Sequence, residues 1–280
     1  MWNNKLCMIL TRYRFINDDD HMRLLKETGF DGFFTKFEDV DNYARLAKKY
    51  SMTYQSVHAP YNRARVIWHD EGEEGDKAVT DLTACLRACA DNNVPISVFH
   101  AVVNFDIHNP TQIGLDRYGK IVQEAEKLGV KIAFENTEGE EYLEAVMNEF
   151  ASSKAVGFCW DTGHEMCYNH SKDMLALYGD RILCTHLHDN FGISDFNGVI
   201  QPSDDFHLLP FDGIADWDYN MARLDKTGFE GMLTFELNLR FEGRFQTEAY
   251  FKMPFERYVA ECYMRACRVA AKRKLATTHV

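Results

Sequence analysis

The chain has 280 residues, 46% hydrophobic and 26% charged, with a formal net charge of −12. This is ordinary globular composition with enough apolar residues for a sizeable core, and its acidity disfavours a protein that tracks nucleic-acid phosphates on a basic stripe. No apolar run approaches a membrane span, and no secretory h-region with a small-residue cleavage site opens the sequence.

Taken in chain order, short β-rich runs alternate with segments of helical period. CMILTRY (7–13) precedes DDDHMRLLKETG, DGFFTKF (31–37) precedes VDNYARLAKKYS, and MTYQSVHA (52–59) precedes DKAVTDLTACLRACADNN. VPISVFHA (94–101) precedes GLDRYGKIVQEAEKLG. VKIAFEN (130–136), AVGFCWD (155–161) and RILCTHLHD (181–189) follow, then DWDYNMARLDKTG and GMLTFEL (231–237). Gly29, Asn93, Gly129 and Gly228 stand where helices stop. A last helix over 254–272, starting near Pro254, aligns Phe255, Val259, Cys262, Tyr263, Ala266, Val269 and Ala270 on one face.

Eight strand–helix units in this length predict an α/β fold, a single (β/α)8 barrel over residues 1–280, with an open doubly wound sheet as the alternative. Continuous apolar strands suit a parallel sheet covered on both faces. No G-x-G-x-x-G follows a strand, so a nucleotide cofactor has no support. Two long connections, 190–215 and 238–253, carry aromatics and aliphatics and are expected to be functional lids. The eight cysteines contain no C-x-x-C, which excludes a cysteine zinc ribbon; Cys85 and Cys89 share a helix face and are expected to be buried. The expected setting is reduced and cytoplasmic.

The chemistry gathers at the strand ends. His58 closes the third strand, His100 the fourth, Glu135 the fifth, Asp161 the sixth, His186 the seventh and Glu236 the eighth. His164, His188 and the pair Asp205/His207 lie just beyond. In a parallel barrel all these ends open on one face. Carboxylates gathered there repel one another and need a cation, a shared proton or large pKa shifts. Imidazole and carboxylate without thiolate suit Zn, Mn, Co or Mg. Taken singly, a histidine after a strand is an ordinary turn residue, and Asp161 before Thr162 is a ready helix N-cap. Ligand-type residues at six consecutive strand ends are not what capping produces. Glu165 is expected to face solvent on the next helix. His21, His69, His108, His170 and His279 receive no role, and Cys159 and Cys184 are expected to pack. Arg240 and Arg244 in the second long connection are candidates to hold a phosphate, although exposed loop arginines commonly hold nothing, and no glycine loop cradles a phosphate.

The ordered series VHAPY (57–61), FHAV (99–102), FENTEG (134–139), DTGH (161–164), HLHD (186–189), DFH....DG (205–213) and FE (235–236) resembles the xylose isomerase-like TIM-barrel superfamily over residues 50–237. That group includes sugar and sugar phosphate isomerases and epimerases, inosose dehydratase-like lyases, and endonuclease IV-type AP endonucleases. The resemblance implies that Glu135, Asp161, His186 and Glu236 bind one divalent ion, often manganese. In the endonuclease branch it implies a trinuclear zinc site completed by His58, His100, His164, Asp205 and His207, with Tyr61 at a DNA-contacting position. The sequence departs from that branch at Phe206, Phe211 and His188, which replace an Arg, a Gly and an Asn. HLLPFDG.ADW is more similar to the sugar phosphate isomerase/epimerase branch.

The resemblance therefore implies a metal-dependent sugar isomerase or epimerase. Glu135 and Glu236 are its catalytic carboxylates, transferring protons through a metal-stabilised enediolate. His188 is expected to orient substrate hydroxyls, and His58 and His100 to bind substrate or further metal. Trp68, with Tyr61 and Trp217, would wall the sugar's C–H face. The expected partner is a small sugar, with no nucleic acid or membrane; a homo-oligomer stays open. The alternatives are an endonuclease IV-like phosphodiesterase and an inosose dehydratase-like lyase.

Overall fold

The computed structural model describes residues 4–103, 105–195, 197–239 and 245–274. Eight strands follow one another: β1 (Leu6–Ile9), β2 (Gly32–Lys36), β3 (Thr53–His58), β4 (Ile96–His100), β5 (Lys131–Glu135), β6 (Val156–Asp161), β7 (Ile182–His186) and β8 (Leu233–Phe235). The helices are α1 (Asp18–Thr28), α2 (Val40–Tyr50), α3 (Val66–His69), α4 (Glu73–Asp91), α5 (Gln112–Leu128) and α6 (Glu140–Glu149). They continue with α7 (Thr162–Cys167), α8 (Met174–Tyr178), α9 (Trp217–Lys226), α10 (Phe245–Phe251) and α11 (Phe255–Ala270).

The strands pair in parallel in the order β7-β6-β5-β4-β3-β2-β1-β8. Leu187, one residue past β7, bridges in parallel to Phe235 of β8, and its N–H donates to Thr234 O at 2.8 Å, so the barrel closes. The local signals behind the helices are in place. Asn17 caps α1 by accepting from the Asp20 N–H, and Gly29 ends it at φ 120°. Thr111 caps α5, and Gly129 ends it at φ 70°. Asn93 takes φ 58° after α4. Pro254 stands at the start of α11, which buries Val259, Cys262, Ala266, Val269 and Ala270.

Strand alternation fixes what lies beneath the mouth. Val98, Ala133, Cys159 and Cys184 form their own small buried cluster. Two residues further along each strand stand His100, Glu135, Asp161 and His186. Residues i and i+2 share a strand face, so the cluster is the inward layer on which these four side chains rest. The larger core packs helices against the outside of the barrel, with Phe33, Phe99, Phe134, Phe158 and Trp160 among its members.

Both long connections carry structure. The first folds back through a short turn of helix at Pro202–Asp204 and pairs Asp189 with Leu208. The second contains α10. Arg240, Arg244 and His279 lie outside the described residues. All eight cysteines are free, and Cys85 and Cys89 are buried. Among the described residues, no helix is long and apolar enough to cross a membrane.

Candidate metal centre

The strand-end residues meet at the barrel mouth in three groups of imidazole and carboxylate, the ligand atoms of each lying within 4.8 Å of one another: Glu135, Asp161, His186 and Glu236; His58, His100 and Glu135; and His164, His188, Asp205 and His207; the Cys159 thiol lies within the same reach of Glu135 and His186. Glu135 belongs to the first two groups. In the first, His186 Nδ1 stands 2.6 Å from Glu135 Oε1 and 3.0 Å from Glu236 Oε2. In the second, His58 Nε2 and His100 Nε2 are 3.1 Å apart and lie 3.3 and 3.0 Å from Glu135 Oε2. In the third, Asp205 Oδ2 is 2.9 Å from His207 Nε2 and 3.5 Å from His164 Nε2. His188 joins the first and third groups, with Nε2 3.0 Å from Asp161 Oδ1 and 3.8 Å from Asp205 Oδ1.

These separations suit cations. Ligand atoms about 2.1 Å from a tetrahedral ion stand roughly 3.4 Å from one another. Glu135 Oε2 makes no aligned hydrogen bond despite its two imidazole neighbours, and it is buried. His164 Nδ1 and Asp205 Oδ1 are also buried without a partner. Buried polar atoms left in this state are costly unless something binds them. The donor set, imidazole and carboxylate, fits a divalent ion of the zinc, manganese or cobalt type.

Local sequence explains how the third group forms. Asp161 caps α7, accepting the His164 N–H at 2.7 Å, which fixes the turn that carries His164 inward. Gly163 leaves room for His188: a Cβ at position 163 would overlap the His188 ring. His188 then stacks on His207, with ring centroids 4.2 Å apart. His207 adopts φ 48°, uncommon for a residue with a side chain, and its Nδ1 bonds the Glu236 carbonyl at 3.0 Å.

Electrostatics follow from burial and mutual pairing. Burial alone would raise the Glu135 carboxyl, but the imidazoles of His186, His100 and His58 outweigh it and hold the group well below the usual range. Asp205 is held well below its usual range in the same way by His207 and His164. Burial alone would lower His186, but Glu135 and Glu236 raise it well above the ordinary value; Asp161 and Asp205 do the same for His164.

The structure thus brings together every strand-end residue singled out from sequence, along with His164, His188, Asp205 and His207. Trp68 does not join them. It is fully buried, its Nε1 donates to Ala101 O at 2.7 Å, and its ring packs on Tyr118 and Tyr142. An indole enclosed on α3 presents no face to a sugar. Trp217 is likewise buried, donating to Asp189 at 3.2 Å. Tyr61 does reach the site, stacked on His100 at 4.7 Å. Glu165 also departs from expectation: it is 5% exposed and pairs with Arg223 at 2.6 Å.

Two positioning residues escaped the sequence reading. Asn136 accepts the Asp161 N–H at 2.7 Å and donates to the Asp161 carbonyl at 2.9 Å, so it clamps the backbone beneath a candidate ligand. Asp189 accepts from the N–H groups of Asn190, Phe211 and Ala215 and thereby pins the long connection that supplies Asp205 and His207. Each directly follows or closely neighbours a strand-end candidate ligand, in FENTEG and HLHD. A polar residue next to such a ligand, where an apolar one would ordinarily pack, is the signal that marks them.

Fold and site together define a (β/α)8 barrel with a histidine- and carboxylate-lined ligand cluster at its mouth. The family model described as xylose isomerase-like TIM barrel matches residues 22–250, and the chain belongs to that family. The uncharacterized protein y4fM of Sinorhizobium fredii is 34% identical over 152 residues, which span 51% of this chain and 40% of y4fM. Among solved structures, the IolI protein with a bound zinc atom superposes with TM-score 0.73 at 19% identity, covering 97% of this chain and 99% of IolI. The 3-keto-D-glucoside 4-epimerase YcjR from E. coli superposes with TM-score 0.70 at 16% identity, covering 94% of this chain and 100% of YcjR.

Proposed function

We propose that this chain is a divalent-metal-dependent isomerase or epimerase of a small sugar. The observation that carries the reading is the placement of two carboxylates, Glu135 and Glu236, on one imidazole nitrogen of His186 at 2.6 and 3.0 Å. Glu135, Asp161, His186 and Glu236 are the residues that would hold the ion. When bound, a divalent cation supplies Lewis-acid stabilisation of negative charge on a substrate oxygen. The Glu135 side chain is fully enclosed, whereas that of Glu236 is 9% exposed. Glu236 therefore takes the proton from the carbon beside the substrate carbonyl, and Glu135, across His186, entering the turnover protonated, returns one; solvent then takes the proton from Glu236 and resupplies Glu135. Positioned proton transfer of this kind contributes about 10²–10⁴-fold. His188 orients substrate hydroxyls. We take residues 1–280 as one barrel domain working in the cytoplasm. The zinc in IolI and the activity in YcjR's name are in keeping with this reading, although likeness at such identity carries the fold rather than the reaction. The test is exchange of the substrate's α-hydrogen in D₂O. Glu236→Gln should abolish it while the circular dichroism spectrum is preserved; exchange at the unmodified rate overturns the assignment.

A hydrolase reading is favoured by one observation, the three contiguous ligand groups joined through Glu135 and His188. Multinuclear centres clamp attacking and leaving oxygens in phosphoester hydrolysis. Three ions per chain together with nicking of abasic-site DNA establish that reading, and a single ion without nicking removes it.

A further inference from the structure

A pocket of about 490 Å³ opens on the same end of the barrel as the metal groups, between the ends of β1 and β2. That size lies within the range of small-molecule sites. Thr11, Arg12, Arg14, Lys36, Glu38 and Tyr43 are on its wall. Two routes tie it to the metal groups. Lys36 is in register with His58, its ammonium lies 5.8 Å from the centre of the Tyr61 ring, and that ring stacks on His100. On the other side Leu10 donates its N–H to Phe34 O at 2.8 Å, and the Phe34 ring stacks on His186 at 4.5 Å.

The charge of this wall runs against that of the chain. In a protein of net charge −12, the wall carries Arg12, Arg14 and Lys36 against one acid, Glu38. Arg12 is committed to acids, at 2.8 Å from Asp18, 3.4 Å from Asp39 and 3.9 Å from Glu38. Arg14 and Lys36 are not: among the described residues neither has a carboxylate within ion-pair distance. Cations beside a cation-binding centre repel it. An anionic ligand spanning both regions removes that penalty, and uncommitted Arg and Lys side chains are the groups that bind oxyanions through charge-assisted hydrogen bonds.

We propose that this pocket holds an anionic terminus, a phosphate or a carboxylate, of a sugar whose reacting carbons sit at the metal groups. The inference rests on the sugar isomerase/epimerase reading and names its substrate class. Arg14 and Lys36 supply the recognition. Binding energy gained at the far end of the substrate then helps position the reacting end.

The test is calorimetric titration of the full chain, purified with manganese, using D-fructose, D-fructose 6-phosphate and D-fructuronate. At least one anionic sugar should bind about 10-fold or more tightly than D-fructose, a difference worth about 1.4 kcal/mol. Which anion binds better distinguishes phosphate from carboxylate. The double variant Arg14→Gln/Lys36→Met should erase the preference and leave D-fructose binding unchanged. Equal binding of all three sugars, or no binding of either anion, overturns the proposal. A preference that survives in the double variant also overturns it, because the anion then sits on the metal groups. Exchange of the α-hydrogen in D₂O is measured on the same sugars. Preference without exchange on any sugar sinks the isomerase reading and leaves the anion pocket standing; exchange without preference does the reverse.

Discussion

Asp161 and His164 are joined across the first turn of α7, the carboxylate accepting the His164 N–H at 2.7 Å. The same Asp161 oxygen stands 3.0 Å from His188 Nε2. The N-cap that the sequence offers at Asp161 is therefore formed, and it does not keep the carboxylate away from the imidazoles. Asp161 is a helix cap, and it also stands in a group whose donor atoms are close enough together to share an ion.

Two substitutions separate those roles. Asparagine caps a helix as well as aspartate does but carries no charge. Asp161→Asn should lose bound metal and keep the cap, at the cost in chelated protein of the charge that faces His164 and His188. Asp161→Ala removes the cap as well and should cost a further 0.5–2 kcal/mol, roughly, in denaturant unfolding of the chelated protein. Full metal occupancy in the asparagine variant, by elemental analysis, removes Asp161 from the ligand set.

The pairing of imidazoles with carboxylates predicts opposite pH responses with and without metal. His164 and His186 are held well above the ordinary histidine value of 6.5, because their carboxylate neighbours outweigh burial. In chelated protein that contribution is fully present below pH 6.5 and is lost as pH rises through the elevated folded values. Glu135 and Asp205 are held well below their ordinary 4.5 and 3.8, so the contribution is present above those values and is lost as pH falls through the depressed ones. Chelated protein should therefore melt highest between about pH 4.5 and 6.5. Metal ligation needs neutral imidazole and ionised carboxylate, so loaded protein gains as pH rises. The gap in melting temperature between loaded and chelated protein should widen above pH 6.5. A gap independent of pH would refute metal binding by these histidines.

The barrel was legible because each apolar run carries its own period and each helix its own stop, as Gly29 and Gly129 show. The mouth was legible because parallel strands force distant residues such as His58 and Glu236 to one face. Glu165 and Trp68 were misplaced for a shared reason. Their surroundings come from elements far along the chain: Arg223 lies 58 residues from Glu165, and Ala101 lies 33 residues from Trp68. No local period reports such partners. A tryptophan near a strand end looks the same in sequence whether its ring faces a ligand or a helix.

Glu165 supplies a control for the site. It pairs with Arg223, accepts from Trp160 Nε1 at 2.9 Å and from the Met174 N–H at 3.2 Å. Removing one partner of a buried ion pair costs about 3–5 kcal/mol when the other charge is left unpaired; Arg223 keeps Asp173 at 2.8 Å and Asn220 at 2.7 Å, which places this case at the low end. Glu165→Ala should destabilise the fold by that order in denaturant titration, while folded protein keeps its metal content and activity. Loss of metal from the folded fraction would show that α7 transmits the damage to His164.

Gly163→Ala tests the third ligand group with a single methyl. Gly163 has no positive φ, so alanine meets no backbone strain there. The cost arises from the His188 ring, which the new Cβ would overlap. That ring cannot retreat freely, because His207 stacks on its face and Asp161 holds its Nε2. Overpacking of this kind costs about 1–3 kcal/mol. The expected result is a folded protein of reduced stability that retains metal in the group of Glu135, Asp161, His186 and Glu236 but loses any ion held by His164, His188, Asp205 and His207. Elemental analysis before and after the substitution counts the difference. If sugar chemistry needs only the first group, D₂O exchange should survive at a rate lowered through substrate positioning by His188. If the chain is a multinuclear hydrolase, the same methyl should abolish phosphoester cleavage. An unchanged metal count with an unchanged exchange rate would mean that His188 moves aside at no cost and has no role in either chemistry.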